Sequence, residues 1–444
     1  EQIFDFSKIE KMILWSRNND KNLTKMLIDA TSIKLYNKMK TIEIQEQLIK
    51  TAESLISRLN PQWEYVAAKL YLVKLYKDSY NIGGYPHMKE YLNKAFRNRV
   101  LDKEIFDNYT PREIDELNNN LVSERDFLFT YKGLKSFADS YILKTSNTRK
   151  PIELPQLTYM RVAMSLHYKK TGRHRIERVL RTYNNISTFK YTLATPIMLN
   201  AGTFNFQLRS CVLNDMRDNS ISIMDTNKNL AIYSKFKGGT SLNIDELRRS
   251  GSYINGNDGK SSGPVPFIKI TETIMKAWNQ GGKRPGMCAI YFSCWNYNFE
   301  ELIVLKSNGG TDENRARGLK YGVKINNVFL QRWIKNEEYT LFNPSETPKL
   351  LTTYGKEFEE AYLEYENTPG LLKKKLSARD MWEMVMKERS ETGNIYLFNI
   401  DNVNMSNMLG VMVKQSNLCA EIVEYTKPSV LLSEELYFDK DMKA

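Results

Sequence analysis

The sequence predicts an α/β protein in which a helical N-terminal region precedes a region of alternating strands and helices. Apolar residues recur at helical spacing up to about residue 90, and the pattern stays helical and charged from about 95 to 190. From Tyr191, short apolar runs alternate with helical segments, which favours a parallel sheet. With 444 residues, of which 41% are hydrophobic, the chain can form two or three domains with their own cores.

Composition bears on location and partners. No apolar run approaches the roughly 18 residues needed to cross a bilayer, and the N-terminus lacks a signal pattern. We therefore expect no membrane association and a cytoplasmic location, which would be the host cytoplasm for a viral protein. Four scattered cysteines are too few for a disulfide scaffold, and no Cys or His spacing indicates a metal site. The net charge of +12 favours anionic partners, either nucleic acid or free nucleotides, although dispersed lysines are simply explained as a solvated surface.

The sequence predicts three helices before Tyr191. Thr41 can cap a helix in which apolar residues from Leu48 to Leu59 recur at helical spacing, and Asn60 with Pro61 can begin the next helix. A third amphipathic helix is predicted over 157–167. Their apolar positions are explained by packing.

The region after Tyr191 alternates between the two periodicities. Helices are predicted over 267–278, 300–306, 328–335 and 378–389, the last stopped by Gly393. Strands are predicted over 288–292, 321–326, 340–343 and 395–399. The alternation indicates one parallel sheet flanked by helices.

Residues 414–425, KQSNLCAEIVEY, carry the most unusual polar pattern. If this segment is an extended strand, Asn417, Cys419 and Glu421 lie on one face, with Leu418, Ala420 and Ile422 on the other. A lone cysteine is usually a small buried hydrophobic residue in a core strand. The neighbouring amide and carboxylate favour a chemical role, because each would lose about 1 to 3 kcal/mol if buried without a partner.

Several motifs resemble a known family. QSNLCAEI is similar to the active-site loop of the class I ribonucleotide reductase large (catalytic) subunit. Five more stretches resemble the same family in the same order: ATPIMLNAGT at 194–203, QLRSCVLND at 207–215, RRSGSYINGNDG at 248–259, NQGGKRPG at 279–286 and YGVKIN at 321–326. Six motifs in register are hard to obtain by chance.

The resemblance implies a domain organisation. Residues 1–94 correspond to a partial ATP-cone regulatory domain, in which Lys8, Thr41 and Lys94 match nucleotide contacts. Residues 95–190 correspond to the helical N-terminal domain of the large subunit. Residues 191–428 correspond to the first half of a ten-stranded α/β barrel with the active cysteine on a loop through its middle, and the tail 429–444 matches nothing in the family.

The resemblance also implies a thiyl-radical chemistry. Cys419 matches the radical cysteine, Glu421 the general base for the 3′-hydroxyl, and Asn417 the orienting amide. Cys211 matches one half of the reducing dithiol, although taken alone it is more simply a buried structural thiol. Thr195 and Ser210 match substrate contacts, as Asn417 and Glu421 do.

A specificity effector site is implied by the same comparison. Its matching residues are Asp218, Asn219, Ser220, Arg248, Asn255, Gln280 and Arg284. Asn255 stands where relatives often have a second arginine. Residues 281–286 are glycine-rich but lack the order of a Walker loop, so an effector-reporting loop and a plain mobile hairpin are both consistent with them.

Partners and cofactors follow from the resemblance. No cofactor is expected in this chain. ATP and deoxynucleoside triphosphates are the expected effectors, ribonucleoside diphosphates the substrates, a radical-generating metal-containing small subunit the partner, thioredoxin or glutaredoxin the reductant, and a homodimer the large-subunit assembly. No cysteine follows Cys419, and the family's tyrosine pair is not found, so we expect activity only with a complementary C-terminal fragment. A catalytically inactive nucleotide-binding or scaffolding remnant is the alternative. A nucleic-acid-binding protein rests on charge alone, so no direct nucleic acid binding is expected.

Overall fold

The computed structural model describes residues 7, 11–13, 16, 21–36, 38–80, 84–254, 259–279 and 286–428. Contacts divide the chain into two compact units, Glu1–Leu208 and Arg209–Ala444. The finer division into four segments stays a prediction. Among the predicted site residues, Lys8, Asn255, Gln280 and Arg284 lie outside the described residues, as does the tail 429–444.

The described part of the first unit is mainly helical. Its helices are α1 (Lys21–Ser32), α2 (Thr41–Ser54), α3 (Trp63–Tyr80), α4 (Met88–Arg97), α5 (Lys103–Phe106), α6 (Pro111–Asn119), α7 (Tyr131–Ser140), α8 (Pro155–His167), α9 (Gly172–Ser187) and α10 (Thr195–Asn200), with a 3₁₀ segment at Ser123–Leu128.

Local sequence explains how several of these helices begin. Thr110 caps α6 by accepting from the Glu113 backbone, while the Glu113 side chain accepts from the Thr110 backbone, and Pro111 occupies the first turn. The helix predicted over 157–167 is confirmed as α8, but residues 155–165 are buried on every face of it, so its predicted amphipathic character was wrong. The predicted helix at Thr41 is confirmed as α2, but Thr41 is its first residue and Lys40 its cap, so the predicted capping by Thr41 was wrong. The helix also ends at Ser54, so Leu59 is 90% exposed instead of continuing the apolar face.

The second unit is built on a five-stranded sheet. Its strands are β1 (Cys211–Asp215), β2 (Gly239–Asn243), β3 (Ser250–Tyr253), β4 (Lys260–Ser262), β5 (Cys288–Ser293), β6 (Lys320–Ile325), β7 (Glu338–Phe342), β8 (Lys373–Ser377) and β9 (Tyr396–Asn399). The large sheet has the order β1-β2-β5-β6-β9, and all its neighbours are parallel. Within the described residues it does not close, and β1 and β9 are its edges.

Helices connect these strands. They are α11 (Ser220–Lys235), α12 (Pro264–Ala277), α13 (Phe299–Ile303), α14 (Asn327–Lys335), α15 (Gly355–Asn367), α16 (Ala378–Thr392) and α17 (Ile400–Ser406). All four helices predicted after Tyr191 are confirmed, and α16 is ended by Gly393 at a φ of 62°. This is a helical region followed by the parallel α/β layout expected for the first half of a reductase barrel. Among the described residues, no helix is both long and apolar enough to span a bilayer.

The predicted strands are also present, but one lies in a different sheet. The strands over 288–292, 321–326 and 395–399 are β5, β6 and β9 of the parallel sheet. The strand over 340–343 is β7, which pairs antiparallel with β8, so its assignment to one parallel sheet was wrong. The edge of β6 that β7 could have joined is occupied by β9, and a strand's own periodicity does not specify its neighbour.

The central strand of the large sheet, β5, is completely buried. All six residues of β5 are buried, as expected for a central parallel strand covered on both faces. One face of β5 contributes to the larger core of the unit, and Ala289 and Tyr291 form a smaller core with Phe398, Ile400 and Val413. Leu418, which lies in the segment that contains Cys419, packs against this smaller core.

Candidate active site

The segment containing Cys419 is a tight turn, and the prediction of an extended strand was wrong. Ser416 and Val423 form an isolated antiparallel bridge, and the backbone N–H of Ala420 donates to the Asn417 carbonyl at 3.2 Å. Ala420 has a φ of 60°, so it is not extended, and its side chain is exposed rather than part of an apolar strip. We call residues 414–426 the Cys419 loop.

The turn is stabilised by the side chain of Asn417. Its Oδ1 atom accepts from the backbone N–H groups of Glu421 at 2.8 Å and Ile422 at 3.0 Å. Asparagine side chains readily bond the backbone a few residues ahead, which offers the chain an alternative to a strand ladder. The spacing of apolar residues does not predict whether a side chain bonds its own backbone in this way.

The same amide connects two groups that the sequence singled out. Because Oδ1 faces backbone donors, Nδ2 must point the other way, where it donates to the Cys211 Sγ atom at 3.1 Å and to the Glu421 Oε1 atom at 3.0 Å. Asn417 is fully buried, whereas Glu421 is exposed. The turn therefore brings an amide, a carboxylate and the Cys211 thiol together without a strand.

The cysteines fall into two environments. Cys419 is exposed and Cys211 is half-buried, so neither has the environment of a fully buried structural thiol. Cys288 and Cys294 are buried, and burial raises the pKa of each thiol to about 12. Because the thiolate is the reactive form of cysteine, chemistry is expected at the first pair only.

The tip of the loop contacts the smaller core. The Tyr291 hydroxyl donates to the Asn417 carbonyl at 2.9 Å, and burial raises the pKa of Tyr291. Leu418 packs against the same core, and a Cβ atom at Gly239 would lie 2.9 Å from its Cδ2 atom. Sequence reasoning missed Tyr291 and Gly239, and the available signals were a tyrosine inside an apolar strand and a glycine at the start of another.

The base of the loop is attached at the other end of β1. Lys414 and Thr426 both reach the carboxylate of Asp215, and Gln415 Nε2 donates to the Asn214 carbonyl at 2.6 Å. None of these residues was predicted to act at the site. No motif spacing connects them, because their contacts join positions about two hundred residues apart.

The two predicted substrate contacts lie in different units. Ser210 precedes Cys211, is half-buried and accepts the backbone N–H of Gly239 at 2.7 Å. Thr195 belongs to the first unit, where it begins α10 and its hydroxyl lies 3.3 Å from that of Tyr141. Their substrate contacts stay predictions.

Four predicted effector residues lie near the start of α11. Asp218 Oδ2 accepts from Arg248 Nε at 2.5 Å, and both side chains are partly exposed. Asn219 caps α11 by accepting from the Ser222 backbone at 2.9 Å, and Ser220 is the first residue of the helix. Asn255, Gln280 and Arg284 lie outside the described residues.

Two of the three predicted ATP-cone contacts, Thr41 and Lys94, lie in helices of the described residues. Thr41 is the first residue of α2, and Lys40 is the cap. The Lys94 ammonium lies 3.9 Å from the centre of the Tyr80 ring and donates to the Ser79 carbonyl, and partial burial lowers its pKa. Nucleotide binding by these residues stays a prediction. Across the residues that the structure describes, no group of three or more His, Cys, Asp or Glu side chains could hold a metal ion.

Fold and site together define an α/β protein with a cysteine-bearing loop on a parallel sheet. A family model described as ribonucleotide reductase, barrel domain, matches residues 209–436, and one described as ribonucleotide reductase, all-alpha domain, matches 127–205. The chain therefore belongs to the ribonucleotide reductase large-subunit family, which confirms the resemblance of its motifs.

Curated relatives agree with this assignment. The chain is 34% identical over 442 residues to the ribonucleoside-diphosphate reductase subunit alpha of Haemophilus influenzae, covering 98% of this chain and 58% of the relative. It is 35% identical over 441 residues to the subunit of the same name in Helicobacter pylori, covering 98% and 55%. It is 33% identical over 431 residues to ribonucleoside-diphosphate reductase 1 subunit alpha of Escherichia coli, covering 96% and 57%. The chain spans little more than half the length of these relatives.

Proposed function

We propose that this chain supplies the part of a ribonucleoside-diphosphate reductase that carries the radical cysteine, and that it acts in making deoxyribonucleotides. The observation that supports this proposal is the Asn417 amide, which joins the Cys211 thiol to the Glu421 carboxylate on the loop that carries Cys419. A thiol, a carboxylate and an oriented amide are the groups that replacement of the 2′-hydroxyl requires.

In the proposed reaction, the 2′-hydroxyl of the ribose is replaced by hydrogen. A Cys419 thiyl radical takes the 3′ hydrogen of the substrate, and Glu421 accepts the 3′-hydroxyl proton. The 2′-hydroxyl leaves as water with a proton from one thiol of the pair formed by Cys211 and a second cysteine. The other thiol hydrogen and the two electrons reduce C2′ as the pair becomes a disulfide, and Glu421 returns its proton to the 3′ oxygen. The 3′ hydrogen then returns and regenerates the radical. In sum, a ribonucleotide and a dithiol yield a deoxyribonucleotide, a disulfide and water.

The geometry suits these roles. Cys419 and Glu421 are exposed, so a substrate can reach both, whereas Asn417 is buried and held by two backbone N–H groups. Such an amide keeps its donors aimed at the carboxylate and the thiol without reorganising during the reaction. Cys211 is half-buried and lies beside the same amide.

Other components complete the proposed enzyme. The open edges at β1 and β9 suit further strands from the complementary C-terminal half of a large subunit, because a barrel requires a closed sheet. A small subunit with a metal-dependent radical would generate the thiyl radical, and thioredoxin or glutaredoxin would reduce the disulfide. Nucleoside triphosphate effectors would bind near Asp218 and Arg248 of a large-subunit homodimer.

Reconstitution tests the proposal. The chain is used as bait in its native source, and the recovered small subunit and C-terminal large-subunit polypeptide are combined with it in an assay for reduction of a ribonucleoside diphosphate. We expect turnover that Cys419→Ser abolishes. Cys294→Ala is the matched control, because it removes a buried thiol that belongs to the core of the unit, and it should retain turnover.

The alternative makes a different prediction. An inactive nucleotide-binding remnant is supported by the close pairing of Asp218 with Arg248 at the start of α11. It predicts that the complete mixture binds deoxynucleoside triphosphates but produces no deoxyribonucleotide. That result would overturn the catalytic proposal.

A further inference from the structure

The loop that carries Cys419 is attached to β1 at two levels. At its tip, Asn417 donates to Cys211 at the start of the strand. At its base, Lys414 and Thr426 contact Asp215 at the end of the strand. These levels are four residues apart, which corresponds to about 13 Å along an extended strand.

Asp215 is the residue that joins the two ends of the loop. Its Oδ2 atom lies 3.4 Å from Lys414 Nζ and accepts from Thr426 Oγ1 at 3.1 Å. Its Oδ1 atom accepts from Asn243 Nδ2 at 2.8 Å. The side chain is only 1% exposed, so these three donors satisfy a carboxylate that has little access to water.

The attachment continues into the neighbouring strands. Asn243 Oδ1 accepts from Lys324 Nζ at 2.6 Å, and Lys324 forms a buried ion pair with Asp245. Asp245 in turn accepts from the Ser293 backbone N–H at 2.7 Å and from its hydroxyl. The base of the loop is therefore bound to a network that crosses the carboxyl ends of β1, β2, β5 and β6.

We propose that Asp215 is a positioning residue, which holds both ends of the Cys419 loop at one end of β1 and so sets where its tip meets Cys211 at the other end. Lys414 lies where the chain enters the loop and Thr426 lies where the chain leaves it. Because both contact Asp215, this carboxylate fixes the distance between the two ends of the loop. The Asn417 amide is thereby held beside Cys211, the first residue of β1. The inference deepens the proposed function and rests on it for the role of Cys419.

A spin label on Cys419 measures this positioning directly. In the full chain with Cys211→Ser, a thiol-reactive nitroxide attaches to the exposed Cys419, while Cys288 and Cys294 are buried. We expect Asp215→Asn to increase the mobile fraction of the spectrum several-fold. Lys414→Met and Thr426→Val should each produce a smaller increase. Thr426→Val should add nothing in the Asp215→Asn background, because the Thr426 hydroxyl acts through this carboxylate, whereas Lys414 also pairs with Glu246.

Asp401→Asn is the matched control for a general loss of stability. Asp401 is another fully buried aspartate of this unit, and it accepts from the backbone N–H groups of Asn327 at 2.6 Å and Gly355 at 2.7 Å. This variant should lower the melting temperature but leave the label immobile. An unchanged spectrum for folded Asp215→Asn, or equal mobility in Asp401→Asn, would overturn the inference. If Asp215→Asn does not fold, an unchanged spectrum for Thr426→Val overturns it instead.

Kinetics separate the inference from the proposed function. In the reconstituted enzyme, Asp215→Asn should lower kcat about tenfold or more while KM for the diphosphate changes less than about twofold, because misplacement of a reacting group affects the chemical step. A fall in substrate affinity with unchanged kcat would contradict a positioning role. If the parent enzyme shows no turnover, the proposed function fails, and the label spectra still decide whether Asp215 holds the loop.

Discussion

Removing the Asn417 side chain should open the turn that carries Cys419. In Asn417→Ala, the backbone N–H groups of Glu421 and Ile422 lose the oxygen that accepts from them at 2.8 and 3.0 Å. Each hydrogen bond contributes about 1 kcal/mol, so the local opening free energy should fall by about 2 kcal/mol. This corresponds to about 30-fold faster amide exchange at these two positions.

Hydrogen exchange of the Glu421 and Ile422 amides measures this effect at residue level. Asn407→Ala is the matched control, because Asn407 Oδ1 accepts from the Leu409 backbone at 2.9 Å in a neighbouring loop. It should accelerate exchange at Leu409 and not at Glu421. Unchanged exchange of both loop amides in Asn417→Ala would refute the turn-stabilising role.

The Asn417→Asp variant separates structure from chemistry. A carboxylate keeps an acceptor for the two backbone N–H groups, so exchange should stay close to that of the parent protein. It cannot donate to Cys211 or Glu421 and it adds a negative charge beside Glu421. Turnover of the reconstituted enzyme should therefore be lost in a folded loop, and retained turnover would contradict the proposed role of the amide.

Three further outcomes are expected. Because burial raises the pKa of Cys288 and Cys294 to about 12, iodoacetamide at pH 8 should modify Cys419 well before either, as mapped by mass spectrometry, and early modification of the buried pair would contradict their burial. Burial raises the pKa of Asp126 from its ordinary 3.8 to about 6, so the stability that this side chain contributes is present below about pH 4 and lost as pH rises through 6. In urea unfolding at pH 4 and 7, the parent should therefore lose about 3 kcal/mol more than Asp126→Asn between the two pH values, and equal losses would contradict this role. Gly239→Ala should displace Leu418, which the added methyl group would meet at 2.9 Å, and so increase the mobility of a label on Cys419 without unfolding the sheet; an unchanged spectrum would count against this contact.

Much of the secondary structure could be predicted because it depends on local periodicity. The helices α8, α12, α14 and α16 and the strands β5, β6 and β9 all fall where apolar spacing placed them. Errors arose where a nonlocal choice decided the outcome. The helix predicted from Thr41 ends before Leu59, and β7 pairs with β8 instead of joining the parallel sheet.

The candidate site divides in the same way. The order of the motifs alone specified the family and the chemical types at Cys211, Asn417, Cys419 and Glu421, because these are properties of side chains and their sequence. The tertiary structure decided that the Cys419 segment is a turn, since Asn417 bonds its own backbone in place of a neighbouring strand. It also decided that Asn417 meets Cys211 across 206 positions of sequence, and that Asp215 holds both ends of the loop. Periodicity records only which face of an element is apolar, whereas these contacts depend on where the folded sheet places distant segments of the chain.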